Sequence, residues 1–511
     1  MLPHDHLRDA ASRFPNKPSI ICSKQAYSFQ EIDERSDRLA YEFQQLGLRR
    51  GDRVAVMLDN SIEMVISLWA SLKAGAVFVP ISPGTKADKL GFLLADSGAT
   101  GFIVATHLRQ RVKEVTTRVP FSGPIIWVGC NVEATGLRLD EILARPHKAP
   151  TDPGLIDQDL CLIIYTSGST GSPKGVMMTH RSICNNLWSI STYLRNQSDD
   201  VILSVLPLSF DYGLFQVLTG ARVGFTVVLE RSFAYPYDLL KRIGEHRVTG
   251  LPGVPTIFAK LLQFAPFDGL DLSSLRYMTN TAAPLPAAHI LALRRLLPQA
   301  LIFSMYGLTE CTRVSYLDPW RLKDKMMSVG QAMPNSETYI VDEEGRRCGP
   351  REIGELVVRG TSVMRGYWRR PDATVKALRD GDIPGEKVLF TGDLFWKDED
   401  GDLYFVGRRD DVFKCRGEKV SPREVEACLY ELDCVAEVAV VGVPHPIDGM
   451  AITAHVVPRD GHVITEELLR KQCLRGLEPL LVPRFFELCP SLPKTDSGKI
   501  ITALLRQSAE G

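Results

Sequence analysis

Residues 165–180 read YTSGSTGSPKGVMMTH, and the apolar run LCLIIY at 160–165 leads into them. Glycines let backbone N–H groups turn towards an anion, the hydroxyls of Thr166, Ser167, Ser169 and Thr170 can donate, and Lys174 adds charge. The loop is not a Walker A motif, because Pro173 precedes Lys174 and Gly175 follows it where Ser or Thr is required. It also lacks the GxGxxG spacing of a dinucleotide fingerprint. A flexible Ser/Gly linker is the plain alternative. The buried-strand run before the loop and the helix-like segment after it favour an anion cradle at a strand end, and with it an α/β fold.

The preceding sequence repeats that alternation. In YSFQEIDERSDRLAYEFQQLG (27–47), Ser28 and Glu31 stand at capping-box spacing. Ile32, Leu39, Phe43 and Leu46 then share one helical face, and Gly47 ends the helix. RVAVML (53–58) reads as a buried strand, a helix starts after Asp59 and runs to LKAGA (72–76), and VFVPI (77–81) reads as the next strand. Repeated β-α units imply largely parallel sheets covered by helices.

The texture changes near residue 400. The stretch KDEDGDLYFVGRRDDVFKCRGEKVSPREVEACLYEL (397–432) carries a turn at Asp400-Gly401, a short strand, a dense charged segment and a helix. That helix has Ser421 at the N-cap, Pro422 at the first helical position and Glu424 three residues after the cap. AEVAVVGVP (436–444) and AITAHVVP (451–458) read as strands. The expected organisation is a large N-terminal core over 1–409, of mixed, largely parallel sheets flanked by helices, then a small mobile α+β domain over 410–511.

At 511 residues the chain is too long for one ordinary core. A formal net charge of −1 argues against nucleic acid or an acidic membrane as the main partner. The segment MLPHDHLRDAASRF (1–14) has charges where a signal peptide needs an apolar run, and no apolar stretch reaches spanning length, so a cytoplasmic protein is expected. Eleven cysteines are scattered singly, with no CxxC pair and no metal-ligand spacing to any of the ten histidines.

The chain resembles the adenylate-forming ligases, the family of acyl-CoA synthetases and nonribosomal adenylation enzymes. The resemblance rests on seven motifs in that family's order: LKAGAVFVPISP (72–83), YTSGSTGSPKG (165–175), YGLTE (306–310), GELVVRGTSVMRGYW (354–368), FTGDL (390–394), GRRDDVFKCRG (407–417) and PKTDSGK (493–499). It implies a carboxylate joined to the α-phosphorus of ATP with release of pyrophosphate, then transfer to a phosphopantetheine thiol. Matching residue by residue, Thr166, Ser167, Gly168, Ser169, Thr170, Gly171 and Lys174 would grip the β- and γ-phosphates. Thr309 would add a hydroxyl, Glu310 would hold Mg²⁺, Tyr306 would stack on adenine, Asp393 would accept the ribose hydroxyls and Arg408 would add a ribose contact. Lys499 would bridge the acyl carboxylate and the α-phosphate; outside this context a lysine in a turn is usually a solvated side chain. Asp410 matches the hinge, about which the small domain would rotate before thiol attack. Val412 departs from the glutamine common in relatives.

The acyl group is read from LPLSFDYGLFQVLTGARVG (206–224). Asp211 stands where many acyl-CoA and aryl-CoA synthetases have histidine and where the amino-acid-activating branch has the aspartate that binds the substrate ammonium. The plain alternative is an N-cap, since a helix-like run follows. By resemblance the pocket walls include Tyr212, Phe215, the segment 279–283, Met305, Arg313 and Val314, although aromatics at a helix start are more often core. Arg313 inside the pocket would favour a side-chain acid; on the rim it would favour phosphate or carrier. The motifs are closest to stand-alone ligases that load L-proline onto a carrier protein. With twelve residues after Lys499, the thiol acceptor is expected in trans, as a carrier protein or coenzyme A. The alternatives are an acyl-CoA ligase for a small or unusual acid, an oxidative luciferase-type enzyme, and a scaffold that has lost catalysis.

Overall fold

The computed structural model describes residues 1–129, 136–166, 173–409, 413–415, 418–445, 449–494 and 500–508. Two large sheets carry the N-terminal part. In the first, the strands Arg53–Met57, Val77–Pro80, Leu160–Thr166, Gly101–Ala105, Ile125–Val128 and Leu137–Arg138 run parallel. Lys174–Thr179 and Gly366–Tyr367 close one edge antiparallel. In the second, Val201–Ser204, Thr226–Leu229, Gly250–Gly253, Tyr277–Asn280 and Leu301–Tyr306 run parallel, and the short strand Ser315–Tyr316 turns back on Leu301–Tyr306. A third, antiparallel sheet contains Gly354–Gly360, Lys387–Lys397 and Leu403–Arg408.

The capping box at Ser28 forms as read: the Glu31 amide donates to Ser28 Oγ at 3.1 Å and the Ser28 amide to Glu31 Oε2 at 2.7 Å. The helix it starts spans Phe29–Gln45. Two local expectations change. The segment after the glycine-rich loop is first a strand, Lys174–Thr179, and only then a helix, His180–Tyr193. Its backbone is taken up by antiparallel pairing with Leu160–Thr166, so the two flanks of the loop are partner strands. Ser421 does sit at the N-cap of Pro422–Tyr430, yet makes no side-chain cap bond. Its hydroxyl donates to the Val406 carbonyl at 2.5 Å, tying that helix to the strand Leu403–Arg408.

The expected strands at 436–444 and 451–458 pair antiparallel within Val435–His445 and Gly449–Pro458. The apolar clusters of residues 413–505 share no member with those of residues 7–405. The proposed joint at 409/410 falls at the edge of the described residues, and Asp410 and Val412 lie outside them.

The motif LKAGAVFVPISP builds scaffold. Lys73 ends the helix Ile62–Lys73 with a fully buried side chain. Its ammonium donates to Asp33 Oδ1 at 2.6 Å, to the Asp33 carbonyl at 2.7 Å and to Asp37 Oδ1 at 2.8 Å. A buried cation saturated in this way clamps the helices 29–45 and 62–73 together. Removing it strands two carboxylates, which costs about 3–5 kcal/mol. Lys73→Ala should therefore lower unfolding free energy by about that amount in urea titrations; a loss below about 1 kcal/mol would mean that the pair is solvated rather than buried.

Candidate active site

The polar groups gather where the three N-terminal sheets meet. YGLTE ends the strand Leu301–Tyr306 and turns into Ser315–Tyr316. The turn is tight: a Cβ on Gly307 would lie 2.4 Å from the Thr312 carbonyl, so only glycine lets the two arms close. Thr309 and Glu310 sit at its tip, half-buried. The Val314 amide donates back to the Tyr306 carbonyl at 3.0 Å, which places Val314 and Arg313 under the turn.

Tyr306 donates its hydroxyl proton to Asp393 Oδ2 at 2.5 Å. Asp393, on Lys387–Lys397, is register partner to Arg408, whose Nε lies 3.5 Å from Asp393 Oδ1. The Tyr306 ring packs against Phe395 (4.8 Å) and Phe405 (6.3 Å). Burial and the Asp393 carboxylate hold the Tyr306 hydroxyl well above its usual range, so it stays a donor.

On the other side Tyr367 donates to Glu310 Oε1 at 2.7 Å, and the Lys174 ammonium lies over the Tyr367 ring at 5.5 Å. Burial and Glu310 keep Tyr367 protonated as well. Thr166 and Lys174, which flank the glycine-rich stretch, are register partners of the two paired strands. Ser167, Gly168, Ser169, Thr170, Gly171 and Lys499 lie outside the described residues.

The expected acyl walls come together between the helix Asp211–Val223 and the strands Tyr277–Asn280 and Leu301–Tyr306. Asp211 is the first residue of its helix, with Phe210 at the N-cap; its Oδ1 accepts from the Tyr212 amide at 2.8 Å. Gly213 lets the helix start close to the chain before it, since a Cβ there would lie 2.4 Å from the Pro207 carbonyl. Tyr212 donates to the Thr279 carbonyl at 2.9 Å, and the Arg313 guanidinium stacks on its ring at 4.4 Å. Met305 Sδ accepts from Tyr193 at 3.1 Å. Phe215 and Val314 are buried core side chains. Burial raises the Asp211 carboxyl to about 6, against the pull of Arg313 in the other direction.

Three participants escaped the sequence reading. Tyr367 stands inside a quoted motif, but only the fold brings it to Glu310. Asn60 donates to the carbonyls of Leu206 (3.0 Å) and Glu230 (2.9 Å) and accepts from the Leu208 amide (2.8 Å), fixing the approach to Asp211. Tyr193 reaches the pocket from a separate helix, stacked on Tyr316 at 4.3 Å. None of these long-range contacts leaves a spacing signal.

A family model described as AMP-binding enzyme matches residues 7–368, and one described as AMP-binding enzyme C-terminal domain matches residues 424–499. The chain belongs to the AMP-binding enzyme family. It is an ATP-dependent, AMP-forming ligase of the acyl-CoA ligase kind. It is 32% identical to a long-chain-fatty-acid–CoA ligase of Bacillus subtilis (strain 168), over 99% of this chain and 94% of the relative. It is 34% identical to a feruloyl-CoA synthase of Amycolatopsis sp, over 96% of each. Among solved structures, the anthranilate CoA ligase AuaEII in complex with anthranoyl-AMP superposes with a TM-score of 0.91 at 25% identity, over 100% of this chain and 97% of the other. The o-succinylbenzoate CoA synthetase of Bacillus subtilis, with its acyl-adenylate, gives 0.86 at 27% identity over 99% and 98%. Among the described residues no helix is long and apolar enough to cross a membrane.

The raised Asp211 carboxyl has a consequence for stability. Unfolded, it titrates near its ordinary 3.8; folded, near 6. The folded state thus holds the extra proton between those values, and stability falls as pH rises through that window, by on the order of 3 kcal/mol in full. Asp211→Asn should gain on the native chain between pH 4.5 and pH 7.5 in paired urea titrations. A gap that does not change with pH would show that the carboxylate is compensated in place.

Proposed function

We propose that the chain converts a carboxylic acid to its adenylate and passes the acyl group to the thiol of coenzyme A. The observation that carries this reading is the pair of contact chains at the sheet junction, Lys174–Tyr367–Glu310 and Tyr306–Asp393–Arg408, each built on one tyrosine–carboxylate hydrogen bond. One presents an ammonium and a carboxylate where a triphosphate and its cation would lie. The other presents a carboxylate, an aromatic ring and a guanidinium suited to a ribose and base. The similarity to CoA ligases along nearly the whole length supports the choice of thiol.

In this reading Lys174 and the loop 166–171 hold the β- and γ-phosphates, and Thr309 donates a hydroxyl beside them. The Glu310 carboxylate suits Mg²⁺, a hard cation that takes oxygen ligands and would neutralise phosphate charge when bound. Tyr306 stacks on adenine, while Asp393 and Arg408 hold the ribose. The acid's carboxylate oxygen then attacks the α-phosphorus as the bond to pyrophosphate breaks, and Lys499 stabilises the charge on both partners. The core 1–409 holds the adenylate, and the domain 410–511 turns about Asp410 to exchange Lys499 for the thiol. The thiolate sulfur adds to the acyl carbon and AMP leaves.

A second reading loads an amino acid, L-proline by motif, onto a phosphopantetheinyl carrier protein. Asp211 favours it, because a substrate ammonium would relieve a buried carboxylate. The similarity to CoA ligases along nearly the whole length ranks the coenzyme A reading first.

ATP–pyrophosphate exchange across amino, aryl and aliphatic acids, followed by thioester formation with coenzyme A, separates the two. Lys499→Ala should lower exchange by roughly 10²–10³-fold. Exchange untouched in that variant would remove Lys499 from the chemistry. Acyl transfer to a carrier protein but never to coenzyme A would reverse the ranking.

A further inference from the structure

Arg313 carries a permanent charge and five N–H donors on a planar fork. It is only 4% exposed. One Nη1 proton goes to the carbonyl of the adjacent Thr312 at 2.9 Å, while the buried Nε–H has no partner. Among the described residues no carboxylate comes within 4.0 Å of the guanidinium. Lys73 shows how this chain treats a buried cation that serves structure alone: it surrounds it with oxygen.

The fork is also held still. Its face lies on the Tyr212 ring, and that ring is pinned through its hydroxyl to Thr279. The Tyr193 hydroxyl, which lies within hydrogen-bonding reach of the same guanidinium, is itself pinned by Met305 and by the stack of its ring on Tyr316. Three residues beyond Glu310, among the expected acyl walls, a rigid buried fork thus keeps an Nε–H that no protein acceptor meets.

We propose that Arg313 is a specificity-determining residue that hydrogen-bonds an oxygen acceptor on the acyl substrate, a second carboxylate or a carbonyl, distinct from the carboxylate that is adenylated. The substrate class is therefore an oxygen-substituted acid rather than a plain alkanoic acid. The inference rests on the acid–CoA ligase reading. The same stacking also explains why Tyr212 stands beside Asp211: its ring gives the guanidinium a polarisable face in place of water.

The test compares kcat/KM for pyrophosphate exchange with chain-matched acids: hexanoate, 5-oxohexanoate and hexanedioate, with a shorter and a longer set of the same three types. In the native chain the best oxygen-bearing acid should exceed its plain partner by roughly 10–100-fold, the discrimination that follows from leaving one buried donor unpaired. Arg313→Met should bring that ratio close to one, mainly through KM of the oxygen-bearing acid. Arg313→Lys, which keeps a charge but loses the fork, should retain preference for the diacid and lose it for the oxo acid, and serves if the Met variant does not fold. A dominant diacid identifies the acceptor as a carboxylate, and a dominant oxo acid identifies it as a carbonyl. A ratio near one in the native chain, or one unmoved by both substitutions, overturns the assignment while leaving the ligase intact. No exchange with any acid overturns the ligase reading as well.

Discussion

Two tyrosine hydroxyls join the three sheets of the N-terminal part. Tyr306 ends a strand of one sheet and donates to Asp393 on another. Tyr367, on the edge strand of the sheet that holds the two strands flanking the glycine-rich stretch, donates to Glu310 in the turn after Tyr306. Both phenols stay protonated because burial and a neighbouring carboxylate oppose their ionisation. The junction therefore remains a donor–acceptor lattice rather than a collection of repelling charges. The side chains at the junction are placed by those two bonds and by the turn that Gly307 permits.

Two buried cations show the difference between scaffold and site. Lys73 is enclosed by Asp33 and Asp37, and all its donors are directed at oxygen. Arg313 is also buried, yet its Nε has no acceptor, and the Asp211 carboxyl stays raised against its pull. The first arrangement favours the folded state. The second retains an unmet hydrogen bond within the expected acyl pocket, a local conflict of the kind found at functional sites. A third cationic cluster, Lys325 between Asp398, Asp400 and Asp402 at 2.5–2.6 Å, resembles the first: the ammonium closes an acidic turn.

The local signals in the sequence are strong where a short stretch settles its own conformation. The Ser28–Glu31 box, the apolar face beginning at Ile32, the buried run at 160–165 and the paired strands near 440 and 455 need no distant partner to be recognised. The reading failed where a partner far along the chain decided. The strand at 174–179 is set by pairing with 160–166, and Ser421, though at the expected N-cap, gives its hydroxyl to Val406 instead of its own helix.

The ordered motifs were enough to determine the family and the AMP-forming chemistry, because that order of short polar motifs is shared along nearly the whole chain. The sequence alone left Arg313 between pocket and rim and gave Asp211 either a cap or a substrate to bind. Tertiary structure decided that Arg313 is buried on Tyr212, that Asp211 lies within its field, and that Tyr367, Asn60 and Tyr193 contact the candidate residues or the segments that carry them. The physical reason is that burial and unmet hydrogen bonds belong to no residue by itself. They arise only when helices and strands distant in sequence exclude water from the same small volume.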